Sequence, residues 1–203
     1  MRSELIESLR ENQQYFNIHL TNEKLQILTD YFELVQRHNE LLHLVAPAPA
    51  ADFAVRHILE SLTLLEFLPQ KASFADVGTG AGLPSIPCLI VREDLQAFLI
   101  ESKLKKSGFL KEALSKLDLN DRAQVLNRQF EEIPKPPVKF VTCRALDKFT
   151  RKLPKLLKWS RGSSILFFGG NALGEALTKN GVRFESKLMP LSEQRFLFFA
   201  EKI

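Results

Sequence analysis

The run Asp76-Val77-Gly78-Thr79-Gly80-Ala81-Gly82-Leu83-Pro84 constrains this chain more than any other stretch. It follows a short apolar segment and leads into a helical pattern, the strand–turn–helix context of a nucleotide-binding turn. Glycines let the backbone bend sharply and let a ligand approach the main chain. Pro84 suits the first turn of the helix that follows. The spacing is G-x-G-x-G, whereas a dinucleotide fingerprint needs glycine at 83, where Leu83 stands. Glu101 ends the next expected strand, where a carboxylate can accept two ribose hydroxyls. An acid at 76, the alternating glycines and the strand-end glutamate together suit S-adenosylmethionine better than NAD, which disfavours a nucleotide-dependent oxidoreductase. A glycine-rich turn with no ligand explains the loop but not an acid that agrees with it in position.

Around this loop the hydrophobic period changes. Residues 1–70 read as helix: Leu5, Ile6 and Leu9 form a short stripe, and Thr21 is placed to cap a longer one. That segment carries Leu25, Leu28, Phe32, Val35 and Leu42 at helical spacing. Pro47 and Pro49 break the pattern, and a third helix is expected from about Asp52 to Phe67. From Ser73 onward, strands are expected at 74–77, 97–100, 123–127, 138–142 and 165–168. Helices are expected after Pro84 and at 104–117, 147–158 and 171–179. Such alternation builds crossover units and a mostly parallel sheet. The runs at 182–188 and 195–200 have no long helix between them, so the sheet is expected to finish antiparallel. The fold class is α/β, with a helical extension over 1–70 packed on a cofactor-binding domain over 71–203.

Two cysteines, Cys88 and Cys143, argue against a disulfide scaffold and suit a reducing cytoplasm. No stretch approaches the ~18 apolar residues of a membrane span, and Met1-Arg2-Ser3-Glu4 makes a poor signal peptide. The formal charge of +4 hides an uneven distribution: residues 102–161 carry 16 Lys/Arg against 6 Asp/Glu, and the rest of the chain is acidic. Lys103, Lys105, Lys106, Lys111 and Lys116 surround Leu104, Leu110, Leu114 and Leu117. Arg144, Lys148, Arg151, Lys152, Lys155, Lys158 and Arg161 surround Leu153, Leu156 and Leu157. Solvated amphipathic helices share this composition. The placement of both helices directly after strand ends, where cofactor and substrate meet, favours a nucleic-acid partner.

The chain resembles the bacterial 16S ribosomal RNA guanine-N7 methyltransferases, the RsmG or glucose-inhibited division B family, over nearly its whole length. Arg56-His57-Ile58-Leu59-Glu60-Ser61-Leu62 is similar to that family's helix signature. Asp76 to Pro87 (DVGTGAGLPSIP) is close to its loop motif, and Phe98 to Leu110 (FLIESKLKKSGFL) matches its second strand and basic helix. Cys143-Arg144-Ala145 stands in the place of its Ser-Arg-Ala. The loop is shared by many methyltransferases; its combination with the helix signature is specific.

This resemblance implies a class I methyltransferase of Rossmann-like fold, with an antiparallel C-terminal strand and an N-terminal helical extension. By motif position, Gly78, Gly80 and Leu83 would line S-adenosylmethionine, Glu101 its ribose, and Phe130-Glu131 the adenine edge. Arg144 would stand beside the cofactor as the positioning residue. Lys105, Lys106, Arg128 and Arg195 would surround an RNA-facing mouth. The expected partner is 16S ribosomal RNA or the small ribosomal subunit, and the expected protein is a cytoplasmic monomer without a metal. Four positions depart from the family pattern: Ser85 replaces glycine, His43-Leu44-Val45 replaces Asn-Leu-Thr, Cys143 replaces serine, and Gly169-Gly170 replaces Lys-Gly. The last motivates an alternative, a catalytically weakened cofactor-binding RNA or ribosome-assembly factor.

Guanine N7 carries a lone pair in the neutral base, so its methylation needs alignment rather than proton removal, and no general base is expected. The cationic product calls for nearby carbonyl dipoles or a carboxylate. His57 is expected to be a packed histidine, and both cysteines small buried residues. Pro87-Cys88 and Thr142-Cys143 lie on the wrong elements for a covalent cytosine-C5 mechanism. Pro136-Pro137 precedes its strand and lacks the aromatic of an amino-methylating motif. Phe149, Phe130 and Trp159 could stack on a base; core packing is expected for Trp159, and Phe130 is better placed for the cofactor adenine.

Overall fold

The computed structural model describes residues 1–144 and 149–203. Among these residues seven strands, β1 Ser73–Val77, β2 Gln96–Ile100, β3 Ala123–Leu126, β4 Phe140–Arg144, β5 Ser164–Gly169, β6 Glu185–Leu188 and β7 Phe196–Ala200, form one sheet. Their order is β3-β2-β1-β4-β5-β7-β6. The first five run parallel, and β7 enters antiparallel between β5 and β6, as expected from the missing helix between the last two runs. The chain steps outward from β1 to β3, then crosses back to β4. The β1–β4 boundary is therefore a topological switch point, where the carboxyl ends of the strands open a crevice. Strand β4 starts two residues later than expected because Val138 is still held in the proline turn, its N–H donating to the Pro136 carbonyl at 2.7 Å.

Helices cover both faces. On one side lie α1 Arg2–Asn12 and α2 Asn22–Leu42, the latter capped as expected by Thr21, whose Oγ1 accepts from the Lys24 N–H at 3.3 Å. The third helical stretch runs unbroken over residues 50–66 but changes pitch. It comprises α3 Ala50–Phe53, a π-helical turn Ala54–Leu59, α4 Glu60–Leu62 and a 3-10 turn Thr63–Glu66. Next in chain order come α5 Ser85–Val91, α6 Leu104–Lys116, α7 Phe149–Trp159 and α8 Asn171–Lys179. Ala145, Lys148 and the expected helix start at 147 lie outside the described residues.

Strand alternation sorts the sheet's side chains into two cores. Phe74, Leu99, Leu166 and Phe168 join α1, α2, α3, α5 and α6 in one. Ala75, Val77, Ile165 and Phe167 join α7 and α8 in the other. The N-terminal helices thus share their core with the sheet: Leu5, Phe32 and Phe53 pack in the same cluster as Ile86 and Leu110. At about 25 cal/mol per Å² of apolar surface, this shared burial ties the helical extension to the loop-bearing face.

Candidate active site

The glycine loop leaves β1 tethered to β2, with the Gly78 N–H donating to the Ile100 carbonyl at 2.8 Å. Gly80 and Gly82 adopt φ of +58° and +89°, left-handed values that L side chains rarely tolerate. At Gly82 space is also lacking, since a Cβ would stand 2.4 Å from Ile86 Cδ1. The third glycine is therefore needed for the close approach of α5. Behind the loop Asp76 is fully buried, and its Oδ2 accepts from Thr79 Oγ1 and Ser85 Oγ, each at 2.6 Å. Its Oδ1 has no hydrogen-bond partner among the described residues. Burial raises the Asp76 carboxyl to about 7, against the opposing pull of the two hydroxyls. Ser85, a departure from the family pattern, thus supplies one of the two side-chain hydrogen bonds that make this buried acid tolerable.

Glu101 closes the other side. Its Oε2 accepts from the Gly80 N–H at 3.1 Å and its Oε1 from the Lys103 N–H at 2.8 Å. Two of about four acceptor positions are thereby used. At the end of β4, Arg144 reaches back to the helical signature. Its Nη1 donates to Ser61 Oγ at 3.1 Å, and its Nη2 donates to the Arg56 carbonyl and, at 3.2 Å, to Glu60 Oε2. The Arg56 carbonyl belongs to the π-helical turn, a geometry that frees carbonyls from the regular ladder. The guanidinium also lies over the Phe168 ring, 5.5 Å from its centroid. Burial lowers the Arg144 pKa while Glu60 opposes the shift.

These elements enclose a cavity of about 380 Å³ at the carboxyl ends of the strands. Gly78, Gly80, Leu83, Glu101 and Arg144, all singled out in the sequence, line it together. Phe130 and Glu131 do not; they border a narrow neighbouring recess that shares Gly78, Ser102 and Lys152 with the cavity. Phe130 is 3% exposed and packs edge-on against Trp159, with ring centroids 5.8 Å apart. Trp159 packs as expected, with its indole N–H donating to the Ile133 carbonyl at 2.9 Å.

The expected RNA-facing residues are dispersed. Lys105 and Arg128 are exposed. Lys106 is half-buried in the cavity wall, its Nζ donating to the His43 carbonyl at 3.0 Å. Arg195 approaches from the start of β7, and its Nε donates to Glu60 Oε1 at 2.6 Å. Cys88 and Cys143 are both buried. At Gly169 a Cβ would stand 2.9 Å from Leu173 Cβ and 2.6 Å from its Cδ2, so α8 packs where a side chain would leave the strand.

Sequence reasoning missed several cavity residues. Leu44, Val45 and Ala46 form one wall, held in place because Asn39 pairs with both the N–H and the carbonyl of Val45, at 2.9 and 3.0 Å. His57 packs edge-on against Phe53 at 4.9 Å, as a core histidine would, yet also lines the cavity. Its Nδ1 is buried without a hydrogen-bond partner among the described residues. Burial, reinforced by Arg144, Arg56 and Arg195, lowers its pKa to about 3, which leaves the ring neutral at pH 7. Its position one residue from Arg56 in the helical signature was the available signal. Among the described residues no group of three His, Cys, Asp or Glu side chains could hold a metal ion.

Residues 24–193 match the family model described as rRNA small subunit methyltransferase G. The relative named ribosomal RNA small subunit methyltransferase G from Pelotomaculum thermopropionicum is 36% identical over 137 residues, 66% of this chain and 57% of its own length. The protein of that name from Streptomyces coelicolor is 35% identical over 78% of this chain and 62% of its own length. The chain thus spans somewhat more than half of these relatives. A SAM-dependent methyltransferase from Aquifex aeolicus superposes with a TM-score of 0.60 at 19% identity, covering 74% of this chain and 93% of that one. The tRNA methyltransferase TrmK of B. subtilis gives a TM-score of 0.56 at 19% identity, covering 70% and 64%. At such identities the two structures share the fold, the class I methyltransferase arrangement expected from the sequence. Strand order, glycine loop, helical signature and the match over residues 24–193 agree: the chain belongs to the rRNA small subunit methyltransferase G family.

Proposed function

We propose that this chain is an S-adenosylmethionine-dependent methyltransferase that modifies N7 of a guanine in 16S ribosomal RNA, as the naked RNA or within the small subunit. The observation that carries the reading is the convergence of the glycine loop, Glu101 and Arg144 on one 380 Å³ cavity at the switch point. That volume falls within the roughly 300–1,000 Å³ of small-molecule sites. The residues fit the cofactor. Glu101 keeps acceptor positions for a ribose diol, Gly78 and Gly80 expose backbone to it, and the recess beside Phe130-Glu131 continues from the same floor. In this reading residues 1–70 form a helical extension on a cofactor-binding unit of residues 71–203.

When bound, S-adenosylmethionine supplies a methyl group already activated on a sulfonium. Since guanine N7 offers a lone pair without losing a proton, the chain's own task is orientation, worth several kcal/mol. Arg144 suits this role because four contacts fix its guanidinium at the cavity. His57, neutral at pH 7, adds no charge that would repel the sulfonium.

On the RNA side, Lys105, Arg128 and Arg195 would meet phosphates, with Lys106 at the cavity edge. The exposed Arg151, Lys155 and Lys158 of α7 extend the basic surface. Small-subunit RNA as substrate implies work in the cytoplasm, and a monomer carries the complete cavity. No helix among the described residues is long and apolar enough to cross a membrane. Incubation with methyl-labelled cofactor and either naked 16S RNA or small subunits tests the reading. Label in the RNA supports it, whereas cofactor binding without transfer to either form favours the catalytically weakened RNA-binding factor.

A further inference from the structure

Glu60 is 1% exposed, and the proposed reaction makes no direct use of its charge. Its two oxygens are divided between two arginines from distant parts of the chain. Oε2 accepts from Arg144 Nη2 at 3.2 Å and Oε1 from Arg195 Nε at 2.6 Å. A buried carboxylate is costly unless paired, and truncating one partner of such a pair is strongly destabilising, so the geometry of all three groups is tightly held.

The segment around Glu60 also docks the C-terminal hairpin. Thr63 Oγ1 lies 3.6 Å from Met189 Sδ, and Lys187 Nζ lies 2.5 Å from the Glu66 carboxylate. Met189 N–H in turn donates to the Arg195 carbonyl at 2.8 Å. Residues 60–66 therefore fix where Arg195 stands. Arg195 is 35% exposed in its side chain. Of its guanidinium nitrogens only Nε has a hydrogen-bond partner among the described residues, and Arg195 lines an open groove of about 600 Å³ with Leu191, Ser192, Glu193 and Gln194. Two guanidinium groups share one carboxylate, so one positive charge is uncompensated within this cluster. An arginine held at Nε with its outer edge open matches the geometry of phosphate recognition.

We infer that Glu60 is a positioning residue that fixes Arg195, as a ligand for an RNA phosphodiester in the groove, relative to Arg144 at the cavity, so that backbone grip and base presentation are aligned. The inference rests on the methyltransferase reading above. It assigns Glu60 a role through its two arginines, without contact to the reacting atoms.

The full chain carrying Glu60→Gln tests it, because the amide oxygen can serve only one arginine well. Transfer to 16S RNA is expected to fall about 10²-fold in kcat/KM, the size of effect that a misplacement of about 1 Å produces. Arg195→Gln is expected to raise the RNA KM in the otherwise unaltered chain and to add little in the Glu60→Gln background. In nitrogen-15 spectra the Arg195 Nε–H is expected to exchange slowly with water and to lose that protection in Glu60→Gln. Unchanged kcat and KM in Glu60→Gln, or fully additive effects, would overturn the proposal. If Glu60→Gln does not fold, Arg195→Gln removes the second arginine instead, and unchanged kcat/KM there overturns it equally. A chain that binds RNA but transfers no methyl overturns the enzymatic reading alone. The Arg195 exchange signature and the loss of RNA affinity in Arg195→Gln then decide this one.

Discussion

The phenol of Tyr31 donates a 3.0 Å hydrogen bond to the carbonyl of Ala81, joining α2 directly to the glycine loop. Tyr31 is fully buried, and burial holds its hydroxyl in the protonated, donating form. On the opposite side the loop's Gly80 N–H donates to Glu101. The loop is thus clamped between the N-terminal helices and the end of β2.

Tyr31→Phe leaves the Ala81 carbonyl buried and without this donor, a loss of about 1–3 kcal/mol. Urea unfolding is expected to show that loss, and calorimetry is expected to show weaker binding of S-adenosylmethionine. Wild-type stability together with wild-type affinity would mean that α2 does not shape the loop.

Glu101→Ala removes the acceptor for two backbone N–H groups and the proposed ribose ligand. Hydrogen bonds to charged groups are worth about 1.5–3 kcal/mol each, so cofactor affinity is expected to fall about tenfold or more. The circular dichroism spectrum is expected to stay native. Unchanged affinity would refute the ribose role.

Asp76 and His57 impose opposite pH dependences on folding. The Asp76 carboxyl titrates at about 7 in the folded chain against an ordinary 3.8. The folded state therefore binds the extra proton between those values, and stability falls as pH rises through that window. His57, lowered to about 3 from an ordinary 6.5, stays neutral when folded while the unfolded chain takes up a proton, so its contribution falls as pH drops below 6.5. Asp76→Asn removes only the first effect. Relative to the wild type, its urea midpoint is expected to rise steadily from pH 4 to pH 7. A gap independent of pH would show that Asp76 titrates normally.

Gly169→Ala places a methyl group against Leu173, at 2.9 Å from its Cβ. Overpacking of this kind costs about 1–3 kcal/mol. The double substitution with Leu173→Ala is expected to recover less than the methyl clash costs, because alanine keeps the Cβ that stands 2.9 Å away and loss of the rest of the leucine leaves a cavity. Thermal melts of the three variants check this; a single variant as stable as the wild type would show that α8 shifts freely.

The strand–helix order and the glycine loop were legible in the sequence because both rest on local signals. Period-two runs such as Ile165–Phe168 and the G-x-G-x-G spacing need no distant partner to be read. Glu101 was legible too, since its position at a strand end follows from the strand itself. What stayed hidden depends on contacts far apart in the chain. Glu60 looked like a motif letter until Arg144 and Arg195 were seen to converge on it, 84 and 135 residues away. Tyr31 carries no local signal; its bond to the Ala81 carbonyl joins residues 50 positions apart. Phe130 borders the recess beside the cavity while packing edge-on against Trp159, a pairing that no local pattern reveals. The resemblance places Lys106 at an RNA-facing mouth; its bond to the His43 carbonyl, 63 residues away at the end of α2, has no local signal.

The most direct test of the central claim is to identify the atom that receives the methyl group. After reaction with labelled cofactor and small-subunit RNA, nuclease digestion and mass spectrometry of the nucleosides are expected to place the label in 7-methylguanosine at a single site. Label in 5-methylcytidine, in a methylated amino group or in protein would contradict the account.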